Sequence, residues 1–213
     1  MKAVALTIVG LLCLGTINAQ QKIEKHINFS GKESITLEIQ IADSITVHTW
    51  NRNEVYINAS VNINHNKNND AYLITFNDAG KNVVVSAKFR ENYFQGKCNC
   101  CDTSNIYWEI YVPDKTTFNL ESINADITID GQTAGMKVKS ISGYIDLAVP
   151  ANRDADVDLS TISATIYTNH DLKPEKMHTG VPVKIAEKLN NGGATIRLET
   201  ISGDIFLRKS IDQ

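Results

Sequence analysis

Met136-Lys137-Val138-Lys139-Ser140-Ile141-Ser142-Gly143-Tyr144-Ile145-Asp146-Leu147 returns three more times along the chain with substitutions. Its corner, Ser140-Ile141-Ser142-Gly143, aligns with Ser122-Ile123-Asn124-Ala125, Thr161-Ile162-Ser163-Ala164 and Thr200-Ile201-Ser202-Gly203. The central isoleucines are 18, 21 and 39 residues apart, the last close to twice the others. Five places before them stand Phe118, Met136, Val157 and Ile196, and three before stand Leu120, Val138, Leu159 and Leu198. Four places after come Ile127, Ile145, Ile166 and Ile205, and six after come Ile129, Leu147, Thr168 and Leu207. Nineteen of these twenty positions are apolar in a chain that is 42% hydrophobic. A period near twenty residues with short strands is what stacked coils produce. Five columns are therefore expected to become five aliphatic ladders inside a β-solenoid of about four to five coils.

Two finer expectations follow from the corner. Glycine and alanine alternate at Ala125, Gly143, Ala164 and Gly203, which predicts a limit on side-chain size and not a left-handed residue. The polar column Asn124, Ser142, Ser163 and Ser202 is expected to hydrogen-bond along the stack. The wide interval between Ile162 and Ile201 is read as a coil that has diverged or been interrupted, with 170–193 either projecting as a loop or forming a degenerate coil. Loops on rigid scaffolds carry function, so His170 and His178 there are candidate binding residues.

Upstream, residues 23–112 alternate with period two. Examples are Ile35, Leu37 and Ile39, the run Val55 to Ile63, and Ile106, Trp108, Ile110 and Val112. Such alternation puts one set of side chains in a core and the other in water. Turn-formers such as Asn51-Arg52-Asn53 and Asp78-Ala79-Gly80 separate these stretches. The chain is thus expected to be all-β, with antiparallel sandwich-like strands over 20–113 continuing into the solenoid over 114–213.

The remaining segment, 1–19, carries Lys2, an apolar run from Ala3 to Leu14, and small residues ending at Ala19. That order is a secretory signal peptide, and the run falls short of the roughly 20 residues that span a membrane. Cleavage would leave 20 basic against 24 acidic residues, without the basic patch that nucleic acid requires. The mature chain is expected to have no membrane span and to sit in the periplasm or on the cell surface.

An exported chain tends to oxidise its thiols, but Cys98, Cys100 and Cys101 cannot pair without a remainder. A local disulfide, a thiol linked to a partner, free thiols and a soft-metal site all stay open. Three ligands within four residues do not match the spaced pairs of structural zinc. No cofactor motif, nucleophile elbow or His-Glu-x-x-His sequence is present, and no cofactor is expected. Glycoside hydrolysis would need two carboxylates about 5–9.5 Å apart. Asp126 and Asp204 share one repeat position, but Tyr144 and Thr165 hold it between them in the chain, so the two aspartates are expected to stand several coils apart.

With those residues in view, the chain resembles the putative-adhesin family of exported bacterial β-strand-repeat domains. The likeness rests on Ile45-Thr46-Val47-His48-Thr49-Trp50-Asn51-Arg52-Asn53-Glu54-Val55, on Ile-Ser-Gly-x-Ile at 141–145 and 201–205, and on the closing run Asn191 to Ile205. The resemblance implies a fold and an envelope location and brings no catalytic residues. The function expected is binding, adhesion or scaffolding, with an envelope protein or glycan as partner. The alternative is a periplasmic structural or envelope-sensing component that acts through a protein. A carbohydrate-active enzyme is the remaining reading.

Overall fold

The computed structural model describes residues 21–94, 103–172 and 182–210. The signal segment, the cysteine cluster Cys98, Cys100 and Cys101, and His178 lie outside them. The N-terminal half supplies β1 (Gln21–Asn28), β2 (Ser34–Ile39), β3 (Ile41–Trp50), β4 (Glu54–Ile63), β5 (Tyr72–Asn77), β6 (Asn82–Phe89) and β7 (Ser104–Pro113). The repeats supply β8 (Thr117–Asp130), β9 (Gly135–Ser142), β10 (Ile145–Val149), β11 (Ala155–Thr161), β12 (Ile166–Thr168), β13 (Val183–Leu189), β14 (Ala194–Ser202) and β15 (Ile205–Lys209).

Strand β8 shows how a coil is built. Its first half lies parallel to β2 and β9, and its second half lies parallel to β3 and β10. The chain therefore enters one ladder, turns a corner near Ile123, and leaves along a second ladder. The pairs β2/β3, β9/β10, β14/β15 and β11/β12 repeat this course, and β6 and β7 add another coil, pairing with β2 and β3. Inward residues of both ladders, from Ile35 and Leu37 through Phe118 and Leu120 to Ile205 and Leu207, form one hydrophobic cluster. Burying such side chains contributes roughly 1.5–3 kcal/mol each.

The chain is all-β and solenoid-like, and two features of its topology go beyond the sequence reading. The N-terminal strands are antiparallel at β1–β4, β4–β7 and β5–β6, yet parallel wherever β2, β3, β6 and β7 join the stack. Period-two alternation reports which face is buried and is silent on strand direction. The coils also stack out of chain order: β14/β15 stands between β9/β10 and β11/β12.

The second feature has a local cause. After β10 the chain places β11 one coil further on, and β13 pairs antiparallel on the far side of β11. The turn after β13 then crosses β11 to deliver β14 into the vacant position. Asn190 donates its side-chain amide to the carbonyls of Ala151 and Arg153 at 3.1 and 2.7 Å, and the Asn191 N–H reaches Asp154 Oδ1 at 3.1 Å. Residues 170–193 are therefore not simply a projecting loop, because 183–189 form an integral strand. The other end uses the same device: Asn51 to Asn53 join β3 to β4 with β7 lying between them.

The edge strands β1, with Lys22, Glu24 and Lys25, and β13, with Lys184, Glu187 and Lys188, carry charge, which discourages edge-to-edge pairing. Five rings, those of His26, Tyr56, Tyr111, His48 and Trp50, meet across β1, β4, β7 and β3 with centroids 4.7–5.9 Å apart. Such cross-strand aromatic pairs fasten the N-terminal cap to the stack.

Candidate functional site

The corner columns decide what the solenoid shows to its surroundings. Alternation persists as far as the central isoleucine and then slips by one residue, because two consecutive residues such as Ile123 and Asn124 face outward. Positions −5 and −3 point inward, and so does position −1, where Ser122, Ser140, Thr200 and Thr161 are buried. Their hydroxyls serve backbone carbonyls that the turn would otherwise orphan. Ser140 donates to Ser142 O at 2.7 Å, and both Thr200 and Thr161 donate to Gly203 O, at 2.5 and 3.3 Å.

The central isoleucines consequently point outward. Ile123, Ile141, Ile201 and Ile162 are each 45% exposed, so this column is not the inside ladder expected from its composition. Parity carried the signal: three residues separate −3 from the central position, and an odd step changes face. The other four columns are inward as expected, except that the coil ending in β12 exposes Thr168 and leaves Ile166 half-buried.

The two corner expectations resolve differently. Ser163 donates to Ile201 O and Ser202 to Ile141 O, both at 3.1 Å, so that column does hydrogen-bond from coil to coil. The Gly/Ala column is a size limit at Gly203, where an added Cβ would fall inside the carbonyl of Gly143. Gly143 corrects the expectation: its φ is +88°, a left-handed conformation, and a Cβ there would also overlap the Ala125 carbonyl.

Side by side, the four isoleucines form one stripe, in the spatial order Ile123, Ile141, Ile201, Ile162, with Gln40 continuing it. At a strand spacing near 4.8 Å they span roughly 14 Å. Next to the stripe runs a second row, two residues earlier in each coil: Glu38, Glu121, Lys139, Glu199 and Ser160. Stripe and row together line a groove of about 580 Å³. Lys139 Nζ lies 2.9 Å from Glu199 Oε2, and this carboxylate raises the lysine pKa above its ordinary value. Glu38 accepts a hydrogen bond from Ser86 Oγ at 2.8 Å. Contiguous exposed apolar surface rimmed by charge marks interaction sites.

Elsewhere the outward positions carry a smaller aromatic group. Because β15 stands between β10 and β12, Phe206 meets both Tyr144, at 6.1 Å, and Tyr167, stacked at 5.0 Å. The same permutation corrects the placement of Asp126 and Asp204, which flank Tyr144 with a single strand between them. Each accepts a backbone N–H of the next coil, from Tyr144 at 3.4 Å and Thr165 at 2.9 Å, and so serves as a corner cap.

His170 is buried at 6% exposure, with Nε2 lacking a hydrogen-bond partner among the described residues, so it does not face a ligand in solvent. Among the described residues no group of three or more potential metal ligands occurs. Burial pushes the His170 pKa down, assisted by Lys209 and opposed by Asp171 and a backbone hydrogen bond with Arg208. The unfolded chain then binds more protons than the folded one as pH falls. Stability is full above the unfolded value near ~6.5 and declines below it. Melting temperature measured from pH 7.5 to 5 should fall less steeply for His170→Gln than for the wild type.

Residues 124–208 match the family model described as Toastrack DUF4097. Among solved structures, the chain is similar to "a putative cell adhesion protein from Clostridium sporogenes ATCC 15579" at 12% identity and a TM-score of 0.58. That superposition covers 90% of this chain and 100% of the other, and shows a shared fold. A "putative adhesin from Parabacteroides merdae ATCC 43184" is 13% identical over 70% of this chain and 63% of its own, with a TM-score of 0.27 that carries no argument. No curated protein matches the chain. Among the described residues no helix is long and apolar enough to cross a membrane. The likeness to the putative-adhesin family of β-strand-repeat domains is thus borne out over the coils, where residues 124–208 match Toastrack DUF4097.

Proposed function

We propose that this chain is an exported cell-envelope module that acts by binding, adhesion or scaffolding, and that the isoleucine stripe is its contact surface. The stripe is the observation that carries the reading. Four β-branched side chains stand outward at one column while the serines and threonines beside them point in, the reverse of what water would select. The groove is aliphatic and charged without an aromatic platform, which favours a protein partner over a glycan. The signal-peptide pattern in 1–19 supports export, and the fold shared with a "putative cell adhesion protein" supports an envelope role.

Two experiments test this. A C-terminally tagged copy in its native cell should be digested by external protease if it is surface-displayed; protection until the outer envelope is broken would mean a periplasmic module. Purified, tagged mature protein should sediment with envelopes from cells that carry the native chain. The Ile141→Asp/Ile201→Asp variant should lose at least tenfold of that bound fraction while keeping its β circular dichroism. Undiminished binding by the variant would remove the stripe from the function.

A further inference from the structure

We infer that the occupant of the stripe is a second copy of this chain, docked as an isologous dimer; this rests on the stripe being the contact surface. The argument comes from the charge row beside the isoleucines. Read across the stack, the row is Glu38, Glu121, Lys139, Glu199, Ser160 and, on the edge strand β13, Lys184.

A two-fold axis parallel to the strands reverses the stacking direction and keeps stripe on stripe and row on row. With the axis between the coils of Ile141 and Ile201, Ile141 meets the partner's Ile201 and Ile123 meets the partner's Ile162. All four isoleucines are then used. In the row, Lys139 meets the partner's Glu199, Glu38 meets the partner's Lys184, and Glu121 meets the neutral Ser160 of the partner subunit. Lys139 and Glu199 are already paired within one chain, so the two copies place four charges in an alternating square. Lys184 is likewise free to turn from Asp158, which it approaches only to 3.7 Å.

The two adjacent registers fail. Moving the axis by half a coil spacing one way sets Lys139 against itself and Glu121 against the partner's Glu199. Moving it the other way sets Glu199 against itself. Either shift also leaves one isoleucine off the stripe. Like charges held opposite one another suppress wrong registers, and complementary ones select the right one. One row further out, Lys137 would face the partner's Arg197, whose guanidinium Asp158 holds at 3.0 Å. That mismatch confines the contact to the stripe and its neighbouring row. So narrow a surface falls below the standard interface of about 1,600 Å², and the dimer should dissociate with Kd on the order of 10–100 μM. Many copies on a cell surface would add avidity.

The test is a mixing experiment by sedimentation equilibrium, from about 5 μM to about 1 mM of the mature chain. Wild type should pass from monomer to dimer. Lys139→Glu and Glu199→Lys should each weaken dimerisation at least tenfold, because each places like charges in the square. An equimolar mixture of the two variants should dimerise as tightly as wild type, since the heterodimer alone restores opposite charges across the interface. Mixing cannot repair the pair within each chain, so rescue reports contact between copies. Both residues are partly exposed, and circular dichroism checks that each variant folds. A wild type that stays monomeric at about 1 mM, or a mixture that behaves like its components, overturns the dimer. If that happens while Ile141→Asp/Ile201→Asp still loses envelope binding, the stripe serves a different protein. If the mixture dimerises while envelope binding is indifferent to the stripe, the dimer stands and the envelope role falls.

Discussion

Gly203→Ala should unfold the protein or lower its melting temperature by roughly 10 °C or more. The Cβ would occupy the space of the Gly143 carbonyl oxygen, a backbone atom that cannot rotate away. Two coils would have to separate at the corner, and the buried hydroxyls of Thr200 and Thr161, which both donate to Gly203 O, would lose their geometry. A cost above about 4 kcal/mol is expected, in the range reserved for a specific structural clash. Gly143→Ala should be as damaging for two reasons together, its positive φ and its approach to Ala125 O. Thermal melts followed by circular dichroism would check both. A loss under about 1 kcal/mol would show that the coils are spaced more widely than described.

The second large effect separates two isoleucines only four residues apart. Ile205→Ala removes a side chain with 0% exposure from between the two ladders and should cost about 2–5 kcal/mol. Ile201→Ala trims a side chain on the outer stripe and should cost about 1 kcal/mol or less. Urea denaturation of both variants with unchanged slope would measure the difference directly. Equal costs would mean that the stripe is covered in the folded chain, and the contact surface proposed for it would be lost.

Much of the fold was legible in the sequence because its signals are local. The four aligned corners announced the coils, and Val55 to Ile63 alternated in sequence as they do in burial. The outward stripe was legible too, through the odd step from Leu198 to Ile201, but composition pointed the other way. An isoleucine in a repeat invites burial, whereas Ser140 and Thr200 are needed inside because the turning backbone leaves carbonyls there to be satisfied.

What the sequence determined by itself was the strand content, the repeat, and four of the five columns expected to line the core, since side-chain alternation is a property of each strand alone. The order of the coils was decided only in three dimensions. Parallel strands join through backbone hydrogen bonds that read no side chain, so nothing in Ile201 or Ile162 says which coil lies nearer Ile141. The crossing of Asn190 and Asn191 over residues 151–154 makes that choice. It also sets Glu199 beside Lys139 and orders the charges along the stripe, and so the partner that the surface can accept follows from the tertiary structure.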